Sequence, residues 1–95
     1  MDIAFGTDGV RGLANRDLTA EHALGIGRAA ARTLGRDRWL IARDTRHSGP
    51  MLESALAAGL ASEGAHVELL GVAPTPALAW LCTEQGVPGA MISAS

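Results

Sequence analysis

Trp39-Leu40-Ile41-Ala42-Arg43-Asp44-Thr45-Arg46-His47-Ser48-Gly49-Pro50 is the stretch that decides the fold. Trp39 to Ala42 is a short, unbroken apolar run, as a strand buried on both faces requires. Arg43 to Gly49 is a polar loop. Ser48 is placed to cap a helix, and Pro50 suits its first turn. Beyond the loop, Leu52, Leu56, Gly59 and Leu60 recur at helical spacing, and Gly64 stops the pattern. Strand, loop and helix in direct succession form the repeating unit of a layered α/β domain.

The unit recurs on both sides. Upstream, Thr19 precedes a helical face of Leu24, Gly27, Ala31 and Leu34. Glu21 complements the positive end of the helix dipole, and Gly35 ends the pattern. Before it, Ile3-Ala4-Phe5 reads as a strand and Gly6 to Gly12 as a glycine-rich loop. Downstream, Val67-Glu68-Leu69-Leu70 reads as a strand. Thr75-Pro76 reads as a cap with proline at the first helical position, and Leu78, Leu81 and Cys82 form a short third helix. Gly86 ends that helix, and Gly89-Ala90-Met91-Ile92 is the last strand. The expected fold is a single α/β layered domain over 1–95. Its mostly parallel, mixed sheet has about four strands and is flanked by helices. Ligands of such sheets gather at the carboxyl ends of the strands. The chain stops at Ser95, just past such an end.

Composition limits the function classes. The 95 residues are 47% hydrophobic and 19% charged, with a net charge of -2. That excludes a disordered polar tail and argues against nucleic-acid binding by bulk positive charge. Eighteen Ala and twelve Gly stand against one Phe, two Trp and no Tyr, so each buried residue removes little area from water. Cys82 is the sole cysteine, which rules out an internal disulfide and suits a reducing compartment. In its apolar helical setting it reads as a structural thiol. Met1-Asp2-Ile3-Ala4 lacks the features of a signal peptide, and no apolar run approaches a membrane span. A cytoplasmic location is expected, with neither membrane nor nucleic acid as partner.

Three segments can carry chemistry. All eight basic residues are Arg, whose guanidinium fork suits phosphate and carboxylate. Arg11, between Val10 and Gly12 in the glycine loop, can grip a phosphate, and a plain structural turn is the competing reading. The loop is neither a P-loop nor a dinucleotide fingerprint. Arg43 and Asp44 read as an ion-pair network that holds their loop, with a phosphate-facing role falling to Arg46. His47 reads as a loop histidine, and His22 and His66 as surface residues. Ser93-Ala94-Ser95 places hydroxyls at the end of the last strand, where a nucleophile can stand. No hydrolase elbow or triad accompanies them.

Phe5-Gly6-Thr7-Asp8-Gly9-Val10-Arg11-Gly12, Arg43 to Gly49, Pro74-Thr75-Pro76 and Met91-Ile92-Ser93-Ala94-Ser95 together resemble the first domain of the α-D-phosphohexomutases, in family order and at family spacing. Met51-Leu52-Glu53-Ser54-Ala55-Leu56 and the Gly-Thr-Asp-Gly form of the first motif look most like the amino-sugar branch. The resemblance implies a four-domain enzyme in which a phosphoserine passes its phosphoryl group to a sugar phosphate. The net reaction would convert glucosamine 6-phosphate to glucosamine 1-phosphate through glucosamine 1,6-bisphosphate. That step feeds UDP-N-acetylglucosamine and peptidoglycan precursor synthesis. By the same resemblance, Ser95 matches the phosphoserine, and its phosphate is a ligand of Mg2+. Arg11 matches an arginine near the active-site phosphate. Sugar-phosphate substrate and the remaining domains of the parent chain are the implied partners. The family's His-Asn-Pro after the serine, its metal loop and its sugar loop do not occur in 1–95, so this piece is expected to be inactive by itself. Members acting on mannose or glucose phosphates are the alternative within the family. A non-catalytic α/β interaction module is the alternative outside it.

Overall fold

The computed structural model describes residues 2–4, 10, 11, 19–35, 37–45 and 49–93. Eight elements follow in order: β1 (Asp2–Ala4), β2 (Val10–Arg11), α1 (Ala20–Leu34), β3 (Arg38–Arg43), α2 (Gly49–Ser62), β4 (His66–Val72), α3 (Thr75–Gln85) and β5 (Gly89–Ser93). The strands form one sheet in the order β2-β1-β5-β3-β4. β3 runs parallel to both β4 and β5, while β1 is antiparallel to β5 and to β2. The mixed, layered α/β architecture is as expected, but among the described residues the strands number five, not about four. The addition is β2, within what the sequence reads as loop. Two residues are too few for any hydrophobic period to register.

β3 lies inside the sheet, between β5 and β4, and its side chains are apolar on both faces. Trp39 and Ile41 pack toward α2, with Ala90 and Ile92 of β5, while Leu40 and Ala42 pack on the opposite face with Leu78 of α3 and Met91 of β5. This alternation follows from the two-residue repeat of a strand. α2 lies on one face with α1 stacked against it, and α3 covers the other face.

α1 starts where Thr19 accepts a hydrogen bond from the His22 amide at 3.2 Å and ends at Gly35, whose φ is 125°. Its buried residues are Ala23, Gly27, Ala30 and Ala31. Leu24 is half-buried, and Leu34, expected on the apolar face, is 55% exposed. At Gly27 and Gly59 the two helices approach closely. A Cβ on Gly27 would lie 2.5 Å from the Leu56 carbonyl oxygen, and one on Gly59 would collide with the Leu24 carbonyl. Backbones this near leave room only for Gly and Ala. Two polar contacts flank the crossing. Arg32 binds both carboxylate oxygens of Glu63, at 2.9 and 2.8 Å, and Arg28 Nε donates to Ser62 Oγ at 3.1 Å.

α3 differs from expectation by one position. Its cap is Pro74, not Thr75, and Thr75 makes no side-chain capping bond. Thr75 and Pro76 instead occupy the first turn, where no intrahelical N–H is required. The Pro74 carbonyl accepts from the amides of Ala77 and Leu78 at 3.0 and 3.3 Å. Gly86 closes the helix in the left-handed conformation, as expected. The proposed Ser48 cap of α2 lies outside the described residues.

Candidate functional site

The parallel strands β3, β4 and β5 end together, at Arg43, Val72 and Ser93. Register extends this edge across the antiparallel strands, for Ser93 pairs with Asp2 and Asp2 pairs with Arg11. The backbone of Arg11 therefore sits two strands from Ser93, or about 10 Å at ordinary strand spacing. Two residues far apart in sequence come onto one row because β1 runs backward beside β5. Ser93 is half-buried at the end of β5 and shares the α3 face with Met91, two residues earlier. Ser95, two residues further on, lies outside the described residues, as do Arg46 and His47.

Arg43 is committed inward. Its Nε stands 3.6 Å from Oε1 of Glu53, and its Nη1 donates to the Asp44 carbonyl at 3.3 Å. Arg43 is thus tied both to the Asp44 backbone oxygen and to a carboxylate of α2. Glu53 belongs to the Met51–Leu56 motif, where the sequence assigns it no role of its own. Its signal is a charged residue between Leu52 and Leu56, on the buried side of α2. The strand ends are also tied through the backbone. The Asp44 amide donates to the Ile92 carbonyl at 3.0 Å, and the Ala73 amide donates to the Arg43 carbonyl at 3.1 Å.

The other candidates stand apart from this edge. His22 and His66 are exposed. Cys82 is half-buried on α3 with its Sγ against Gly89, and burial pushes its thiol pKa up, away from the reactive thiolate. Among the described residues, no three His, Cys, Asp or Glu side chains are grouped to hold a metal ion. No helix of the described residues is long and apolar enough to cross a membrane.

Residues 2–95 match the family model "Phosphoglucomutase/phosphomannomutase, alpha/beta/alpha domain I". A phosphoglucosamine mutase of Natranaerobius thermophilus is 61% identical over 98 residues, covering all of this chain and 22% of that protein. A phosphoglucosamine mutase of Mycolicibacterium vanbaalenii is 54% identical over 102 residues, covering all of this chain and 23% of that protein. The chain spans about a fifth of the length of these curated relatives. Among solved structures, a phosphoglucomutase/phosphomannomutase family protein of Burkholderia thailandensis superposes with a TM-score of 0.66 at 41% identity. That match covers 75% of this chain and 16% of the other.

Proposed function

The chain belongs to the phosphoglucomutase/phosphomannomutase family, whose α/β/α domain I it matches over residues 2–95, and from that premise we propose that it is the phosphoserine-bearing part of a phosphoglucosamine mutase. The observation that carries the reading is the register row of Arg11, Asp2 and Ser93. It supports an arginine and the serine-bearing strand end acting on one phosphate. The amino-sugar branch is favoured over the mannose and glucose branch by relatives of that name at 54–61% identity over the whole chain.

In the proposed cycle the phosphoryl group on Ser95 Oγ passes to O1 of glucosamine 6-phosphate. The P–Oγ bond breaks, a P–O1 bond forms, and the O1 proton is balanced by protonation of Oγ. The resulting glucosamine 1,6-bisphosphate turns end for end. Its 6-phosphoryl group then returns to Oγ: the P–O6 bond breaks, a P–Oγ bond forms, loss of the Oγ proton is balanced by protonation of O6, and glucosamine 1-phosphate leaves. Such transfers need alignment and charge neutralisation above all. A phosphoserine carries about -1.5 to -2 charges near neutrality, and Arg11 is a cation that this chain offers it.

Mg2+ belongs to the same proposal, with the Ser95 phosphate as one ligand and further oxygens from outside this chain. The described residues do not make a magnesium site by themselves, and no step above is routed through the ion. The remaining partners are the sugar phosphate and the rest of a longer parent chain, working in the cytoplasm. The test is a coupled assay of the protein as its gene encodes it, with glucosamine, mannose and glucose 6-phosphates in parallel. Preference for glucosamine 6-phosphate is expected. Preference for either other sugar moves the chain to the other branch, and no turnover of any favours a non-catalytic module.

A further inference from the structure

We propose that Glu53 is a positioning residue for the carboxyl edge of the sheet, acting through Arg43; its part in turnover rests on the mutase reading above. Only 9% of Glu53 is exposed. Its Oε1 faces Arg43 Nε at 3.6 Å, yet Glu53 Oε2 and Arg43 Nε are both buried without a hydrogen-bond partner. Such a pair is a poor stabiliser. Desolvating two charges commonly costs as much as their attraction returns, and an apolar pair of equal volume would serve stability at least as well. Specifying one geometry is the role that remains.

Arg43 is the residue through which that geometry spreads. Its carbonyl receives the Ala73 amide beyond β4, and the next amide, Asp44, reaches Ile92 beside Ser93. Its side chain runs over the first residue of α2, where a Cβ on Gly49 would lie 3.3 Å from Arg43 Cδ. Glu53, one turn deeper in α2, fixes the guanidinium in that seat. Nη1 then holds the Asp44 carbonyl at 3.3 Å. Strand end, strand exit and helix start are thereby registered at one residue, directly beside the end of β5 at Ser93. Without the carboxylate, Arg43 is free to turn toward water, and the Asp44–Ile92 contact loses its support.

The test uses Glu53→Gln, which keeps the shape and removes the charge, in the protein as its gene encodes it. Arg43→Lys, which keeps the charge and removes the fork, is the second variant. Amide hydrogen exchange is expected to quicken in peptides covering 43–45 and 91–93 and to stay unchanged in α1. Turnover of glucosamine 6-phosphate per folded enzyme should fall about ten- to a hundredfold in kcat, with KM little changed. The double variant should be no worse than the worse single one, as for two residues acting as a unit. Unchanged exchange at 91–93 in both variants would overturn the proposal. So would exchange quickened uniformly through α1, which marks a plain loss of stability. A wild-type protein without mutase activity would sink the mutase reading alone, since the exchange measurement still decides the role of Glu53.

Discussion

At the row shared by Arg11 and Ser93, the proposed chemistry asks for a fixed positive charge more than for a proton relay. Arg11→Ala in the parent enzyme should therefore lower kcat by about 10²–10³, the usual cost of losing one charged transition-state contact. A structural ion pair with Asp8 or Asp44 gives the opposite pattern, with reduced thermal stability and turnover of the folded enzyme nearly unchanged. Cys82 offers a separate check on the packing of α3 against β5. Its thiol is held protonated by burial, so it should alkylate more slowly at pH 8 than in the urea-unfolded chain, as read by intact mass. The linked effect on stability has a definite sign. The folded state holds the proton more tightly, so stability is fully present below the ordinary thiol pKa and is lost as pH rises past it. Equal alkylation rates in both states would show that the thiol is not shielded.

Among the elements, the α1–α2 crossing makes the sharpest claim. Gly59→Ala gains helix propensity of about 1 kcal/mol, yet its Cβ would strike the Leu24 carbonyl. Overpacking of this kind costs about 1–3 kcal/mol, so a net loss of stability is expected in chemical denaturation. Gly25→Ala is the control, because nothing lies within 4 Å of a Cβ there. It should stabilise by up to about 1 kcal/mol. If both substitutions stabilise, the helices do not approach as described. The same crossing shows where sequence reading succeeds and fails. Capping at Thr19, the stops at Gly35 and Gly86, and the fully buried run of β3 were legible because each depends on local chemistry. The exposure of Leu34 was not, since helical spacing gives a residue's face but not what stands opposite it. Nor was the row joining Arg11 to Ser93, which exists only once β1 reverses beside β5. Ser95 and Arg11 as site residues rest on motif likeness, and Ser95 lies outside the described residues, whereas Glu53 needed its burial and its partner to be seen.

For the whole molecule, the chain leaves apolar groups in water. Trp80 on α3 is 62% exposed, and Leu69 and Val72 on the edge strand β4 are 52% and 55% exposed. Residues 1–95 expressed alone should bind a hydrophobic dye and, spanning about a fifth of the length of the curated relatives, should show no isomerisation of sugar phosphates. A monodisperse monomer that ignores the dye, or that turns over substrate, would contradict this. The proposed cycle needs Ser95 above all as its phosphoryl carrier. The most direct measurement is peptide mapping by mass spectrometry of the parent protein after incubation with glucosamine 1,6-bisphosphate. Ser95→Ala and Ser93→Ala variants would be assayed for turnover beside it. The expected result is phosphate on Ser95, turnover abolished by Ser95→Ala, and much of it kept in Ser93→Ala, whose serine is already paired and half-buried within β5. Phosphate on Ser93, or an active Ser95→Ala enzyme, would contradict both the assignment and the mechanism built on it.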